Sequence, residues 1–189
     1  MTIDPHDDAF EEKSVKEAQT AAPAPAAARP QRPSTQQELA LEEIGAYPML
    51  ATCLKAWEAA RTDDTLPASL EVGDVPKEVL DYTMLIDYLP AERDAAVRMV
   101  GNFIGEKAAF QAHGMTVRAF FEERDAEIVT ESFRAIADNR APSLARRSYV
   151  PISGEQMSYV RLILPLSANG ETVTGFFKTI EPATLTEDE

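Results

Sequence analysis

Apolar and polar positions alternate most clearly in the last quarter of the chain, between Arg147 and Ile180. Residues 148–152 are apolar and β-branched, 157–166 form a long apolar run, and 172–180 are dominated by Thr, Val and Phe. Two short polar breaks separate them, Ser153-Gly154-Glu155-Gln156 and a second one centred on Asn169-Gly170. Asn-Gly between β-rich runs is a hairpin signal, because both residues tolerate positive φ. The pattern therefore predicts a three-stranded antiparallel meander that closes a domain.

Upstream, the period changes to that of helices. Thr35 with Glu38, or Ser34 with Gln37, fits a capping box and predicts a helix carrying Leu41, Ile44 and Tyr47. Pro48 restarts it, since proline costs nothing in a first helical turn. Leu50, Leu54, Trp57 and Arg61 then lie on one helical face. Trp57 reads as a packing anchor, or as a residue covering a ligand. Residues 62–79 are loop-like, and 77–80 fit a single helical turn. Residues 82–88 and 95–104 read as two strands joined by a turn. Gly101 inside the second suggests a bulge or a close approach by another group. Arg98 and Asn102 share that strand's face with Ala96, Val100 and Ile104, so both need polar partners. After a short helix and loop (105–114), Thr116 is a candidate cap for 117–122. Asp125 is a candidate cap for the longest helix, 126–139, whose apolar stripe is Ile128, Val129, Phe133 and Ile136. Strands at both ends with helices between them imply an α+β domain with one antiparallel sheet.

Charge and composition narrow the function. The 189 residues carry a net charge of −14, which argues against nucleic acid and anionic membrane surfaces. The single cysteine, Cys53, forms no intrachain disulfide and fits a reducing, cytoplasmic setting. The N-terminus lacks the cationic and apolar regions of a signal peptide, and no apolar run approaches the ~20 residues of a membrane-spanning helix. Residues 1–34 are acidic, then Ala/Pro-rich, and read as a disordered arm that solubilises or docks a partner. Cys53, His6 and His113 are too scattered for a metal site. Asp63, Asp64, Glu122, Glu123, Asp125 and Glu127 read as solvated carboxylates. Ser148 and Ser153 lack a strand–turn–helix elbow, and no phosphate-binding loop or dinucleotide turn is present. An enzyme is not expected. A small cavity-containing isomerase or hydratase and a purely structural dimer remain as alternatives.

The order of two strands, short helices, one longer helix and a three-strand meander resembles a PAS domain, and more narrowly the single-domain PAS-type proteins of alphaproteobacteria. The residues that carry this are Trp57 with Arg61, Leu66-Pro67, Val75-Pro76 through Leu80, and Met84 through Asp87. Val97 through Asn102, Met115-Thr116-Val117 and Leu162 through Ser167 complete the set. The resemblance implies a PAS-like five-stranded antiparallel sheet flanked by helices. It also implies a helical extension (35–62), a core domain (63–182) and an acidic, frayed tail (183–189). It implies a sensory or protein-interaction module with an internal pocket and no output domain of its own. Such a module acts by ligand- or dimer-dependent contact with a partner such as a histidine kinase or cyclic-dinucleotide enzyme, and is itself a homodimer. Arg98, Asn102, Trp57, Tyr159 and Arg161 are then the candidate ligand-binding residues. Arg161 alternatively reads as a solvent-facing strand residue. The flavin-adduct subtype needs a cysteine on a helix after the second strand, whereas Cys53 precedes the sheet. The haem subtype needs a histidine on the long helix, which has none. Neither cofactor is expected, and the ligand is left open.

Overall fold

The structure, a computed structural model, describes residues 34–70, 72–107, 113–149 and 156–188. The Ala/Pro-rich arm (1–33) and the first meander turn lie outside the described residues.

The chain opens with a strand, β1 (Thr35–Leu39), and a 3-10 turn (Leu41–Ala46), followed by helix α1 (Pro48–Ala60). Next come α2 (Lys77–Leu80), β2 (Thr83–Leu89), β3 (Asp94–Val100), α3 (Asn102–Lys107), α4 (Val117–Phe120) and α5 (Glu123–Asn139). The remainder is β4 (Ser143–Tyr149), β5 (Gln156–Leu166), β6 (Gly175–Ile180) and β7 (Thr186–Asp188). All pairings are antiparallel, in the order β1-β4-β5-β6-β2-β3, with β7 paired to β5. The α+β class, the single antiparallel sheet and the element order from α1 to β6 are as the sequence implies.

Five details differ. The expected helix at 35 is an edge strand, because pairing with β4 outweighs a local capping preference: Leu39 lies opposite Leu144, and Glu38 opposite Ala145. The capping carboxylate instead is Glu43, which accepts from the Ala40 N–H at 3.0 Å. The strand expected to run to 104 stops at Val100, and Asn102 begins a helix. A Cβ built on Gly101 would meet the Leu80 and Asp81 carbonyl oxygens at 2.2 and 2.4 Å, so here the glycine answers a close approach. The register shift lies instead between Leu85 and Ile86, opposite Met99 and Val97. The long helix begins at Glu123, which leaves Asp125 within its first turn, accepting from the Ser34 hydroxyl at 2.6 Å. Finally, the sheet has seven strands, since β1 widens it and the acidic tail pairs as β7 with the start of β5.

The meander's second turn is a longer loop than the Asn169-Gly170 pair suggests, since β5 ends at Leu166 and β6 begins only at Gly175, and of the pair only the glycine takes positive φ. Gly170 has φ +80°, and the Asn169 side-chain oxygen accepts from Ser167 and from the N–H groups of Glu171 and Thr172.

The sheet has two covered faces. Phe133 of α5 stacks on Phe176 of β6 with centroids 4.7 Å apart, and Ser132 meets Arg161 of β5. Alternation then puts Arg161, Ile163 and Pro165, with Phe176, Lys178 and Ile180, on the α5 face. Val160, Leu162, Leu164 and Leu166 point the other way and are buried where α1 packs on β5. Leu50, Cys53, Leu54 and Trp57 form the inward stripe of α1. The Trp57 indole N–H donates to the Pro165 carbonyl at 2.8 Å. The start of α1 has no side-chain cap of its own. Its N–H groups at Met49 and Leu50 donate to the buried Glu181 carboxylate, at 3.0 and 3.3 Å, from the far end of the chain. Among the described residues, no helix is long and apolar enough to cross a membrane.

Candidate ligand site on the helix-covered face of the sheet

The α5 face carries polar residues where an apolar core would be expected. Tyr159 and Arg161 stand two residues apart on β5, Arg147 lies opposite Tyr159 on β4, and Lys178 lies opposite Ile163 on β6. Arg147, Tyr159 and Arg161 are 4%, 4% and 2% exposed. Buried charges at this depth need partners.

Arg161 is held by a polar cage. Its Nη1 donates to Ser143 Oγ at 3.1 Å and its Nη2 to Ser132 Oγ at 2.9 Å. The Glu38 carboxylate stands 3.5 Å from Nη2 and also accepts from the Ser143 hydroxyl. Burial pulls the guanidinium down to about 10, although Glu38 and Tyr159 oppose the shift, so Arg161 stays charged at neutral pH. Burial pushes the Tyr159 phenol up, with Arg147 and Arg161 opposing. Tyr159 is therefore a neutral O–H donor. Arg147 lies over the Phe121 ring, 5.2 Å from its centroid.

Lys178 is only partly buried, unlike its three neighbours. Burial, then repulsion from Arg147 and Arg161, pulls its ammonium down to about 7. The Nζ lies 3.9 Å from the Met84 thioether sulfur, a weak acceptor. Together these groups can attract negative charge, donate hydrogen bonds, and take up or release one proton near neutrality. Beside them, a groove of about 660 Å³ between β1 and α5 is lined by Glu38, Ser132 and Ser143, the residues that hold Arg161.

The five residues singled out from sequence do not converge. Tyr159 and Arg161 sit together, and Arg161 is buried where a solvent-facing position was the alternative. Alternation of apolar residues misreads it because its cage is assembled from β1, β4 and α5. Arg98 is exposed and pairs with Asp87 at 3.5 Å, the two side chains being 52% and 44% exposed. Asn102 is exposed at the start of α3 and donates to Asp81 at 3.1 Å. Trp57 belongs to α1, with the Arg61 guanidinium 4.9 Å from its ring centroid. Sequence reasoning missed Arg147 and Lys178. The available signal was a cation inside an otherwise Phe, Thr and Ile strand that reads as buried on one face and partly covered on the other.

No family model matches the chain, and no curated protein matches it. Among solved structures, a cysteine-to-valine variant of the fungal photoreceptor VVD aligns at TM-score 0.45 with 12% identity, covering 72% of this chain and 94% of that one. An RNA-binding light-oxygen-voltage receptor aligns at 0.45 with 11% identity, covering 80% of this chain and 39% of that one. A fungal light-oxygen-voltage domain photoreceptor aligns at 0.44 with 16% identity, covering 78% of this chain and 99% of that one.

Proposed function

We propose that this chain is a PAS-type sensory module that signals by contact, its state set by a ligand or by a second copy, and that it is not an enzyme. The observation that carries the reading is the largely buried polar cluster on the α5 face. A sheet face roofed by a long helix that carries the buried Tyr159, Arg161 and Arg147 beside the partly buried Lys178 supports a binding role over packing alone. The element order supports it, since two strands, short helices, one long helix and a three-strand meander form one sheet. Among the described residues the cluster contains cations and a neutral phenol but no carboxylate–histidine or nucleophile–base pair, which supports binding over catalysis. The partner in this reading is a signalling protein, for which a histidine kinase or cyclic-dinucleotide enzyme fits, and the protein works in the cytoplasm.

Cys53 supports a ligand held without a cysteinyl adduct. It belongs to α1, is fully buried, and burial followed by the Glu181 charge pushes its thiol up to about 12. A thiol held this way is not the nucleophile of adduct chemistry at neutral pH. Native mass spectrometry of protein purified from its own host tests the proposal. A co-purified small molecule, or a dimer whose abundance changes when that molecule is removed, is expected. A bare monomer that also retains no signalling protein in a pull-down would overturn it.

A further inference from the structure

The two edges of the sheet are finished differently. Beyond β3, Thr116 bridges Ala96, the Val97 N–H donates to the Met115 carbonyl at 2.9 Å, and the Gly114 N–H donates to the Val97 carbonyl at 2.7 Å. A register shift beside Val97 and the exposed Arg98 blunt that edge further. β1, at the opposite edge, pairs with β4 through all five of its residues in unbroken register. Among the described residues, no strand pairs with its outer side. Alternate N–H and C=O groups of such a strand point outward, ready for a further strand. β1 reads Thr-Gln-Gln-Glu-Leu, with no proline, lysine or bulge to discourage one. The groove of about 660 Å³ runs along it, lined by Leu39 and Leu41 on the β1 side and by Ile128, Ala135 and Ile136 of α5. Ile128 is half-buried and Ala135 exposed, so α5 keeps apolar surface that β1 does not cover.

We propose that the outer edge of β1 is a homodimer contact, where a second copy adds its own β1 antiparallel about a two-fold axis at Gln37 and the sheet continues through both copies. The strand is self-complementary in that register. Gln36 stands opposite Glu38 of the second copy and Thr35 opposite its Leu39, so each amide meets a carboxylate and no like charges face each other. The axis also sets both α5 helices on one face of the joined sheet, where the apolar surface each presents beside β1 meets its equivalent. An unrelated extended segment matches neither feature. Glu38 belongs to the Arg161 cage as well, which joins the polar cluster of each copy to the contact. The inference rests on the sensory reading above and names the surface at which the second copy binds.

Sedimentation equilibrium of the full chain at low ionic strength tests it with Gln37→Lys and Gln37→Glu. Gln37 is exposed at the centre of β1 and faces its own copy across the axis, so either variant sets like charges opposite each other. The wild type is expected to dimerise, each variant to dimerise about threefold more weakly, and an equal mixture of the two variants to recover the wild-type affinity. Recovery on mixing also shows that both variants fold. General repulsion between acidic chains predicts a different pattern, in which the less acidic lysine variant dimerises more tightly than the wild type. Three outcomes overturn the inference: a wild type that stays monomeric, its edge taken by a segment of another protein or by none; a dimer that neither variant weakens, which puts the second copy elsewhere; or weakening that mixing does not reverse. Native mass spectrometry separates the two levels. A monomer that co-purifies with a small molecule and retains a signalling protein overturns the β1 contact while leaving the sensory reading in place. A charge-swapped dimer in a chain that holds no ligand and captures no signalling protein supports the contact and counts against the sensory role.

Discussion

Replacing Lys178 by methionine isolates what one partly buried ammonium costs the fold. In the wild type the group falls from its ordinary value of 10.5 to about 7. At about 1.4 kcal/mol per unit, the shift corresponds to at most about 5 kcal/mol. The flexible four-carbon stem lets the ammonium lean toward water, which brings the expected penalty to about 3 kcal/mol. The pH dependence follows from where each state holds the proton. Below the folded value of about 7, folded and unfolded chains are both protonated, and the whole penalty applies. Between about 7 and 10.5 the folded lysine loses its proton while the unfolded chain keeps it, so the wild type regains stability as pH rises. The variant lacks this term. It is expected to be more stable than the wild type by about 3 kcal/mol near pH ~6, with the gap closing to about 2 kcal/mol near pH ~9 and below about 1 kcal/mol near pH ~10. Any packing gain or loss from the methionine side chain is independent of pH, so the slope, not the offset, carries the test. Urea unfolding followed by Trp57 fluorescence measures it, since that is the only tryptophan and is buried in the native state. A gap that stays flat across this range, within about 0.5 kcal/mol, would mean that the ammonium is solvated and that the like-charge cluster does not act on it.

Three further outcomes are expected. Glu181→Ala leaves the Met49 and Leu50 N–H groups at the start of α1 without their acceptor and costs about 1–2 kcal/mol in chemical unfolding; a loss below about 0.3 kcal/mol would show that the long-range cap is not energetically used. Gly101→Ala forces a methyl group against two backbone carbonyl oxygens that cannot swing aside, and is expected to cost about 3 kcal/mol or more by the same measurement, whereas wild-type stability would contradict the close approach. Cys53, fully buried and pushed up to about 12, should resist a disulfide-exchange reagent near neutral pH until the chain unfolds; labelling within seconds of mixing with native protein would contradict both its burial and its low thiolate content.

Local pattern determined much of this protein. The meander, the left-handed Gly170 in its second loop, the inward stripe of α1 and the amphipathic α5 follow from periodicity and turn chemistry, because each depends on residues close in sequence. The tertiary structure decided what depends on distant partners. Residues 35–39 carry a helix-start signal, yet they fold as an edge strand because β4 offers a ladder and Leu144 a packing partner. Glu181 caps a helix more than a hundred residues earlier in the chain, and no window of sequence holds both ends of that contact. Arg161 reads as a surface cation until Ser143, Ser132 and Glu38 converge on it from three elements. Likewise, Lys178, Arg161 and Arg147 become one electrostatic group only when β4, β5 and β6 are laid side by side. Periodicity reports which face a side chain points to. Which charges it meets there is fixed by strand pairing, and strand pairing is a property of the folded chain.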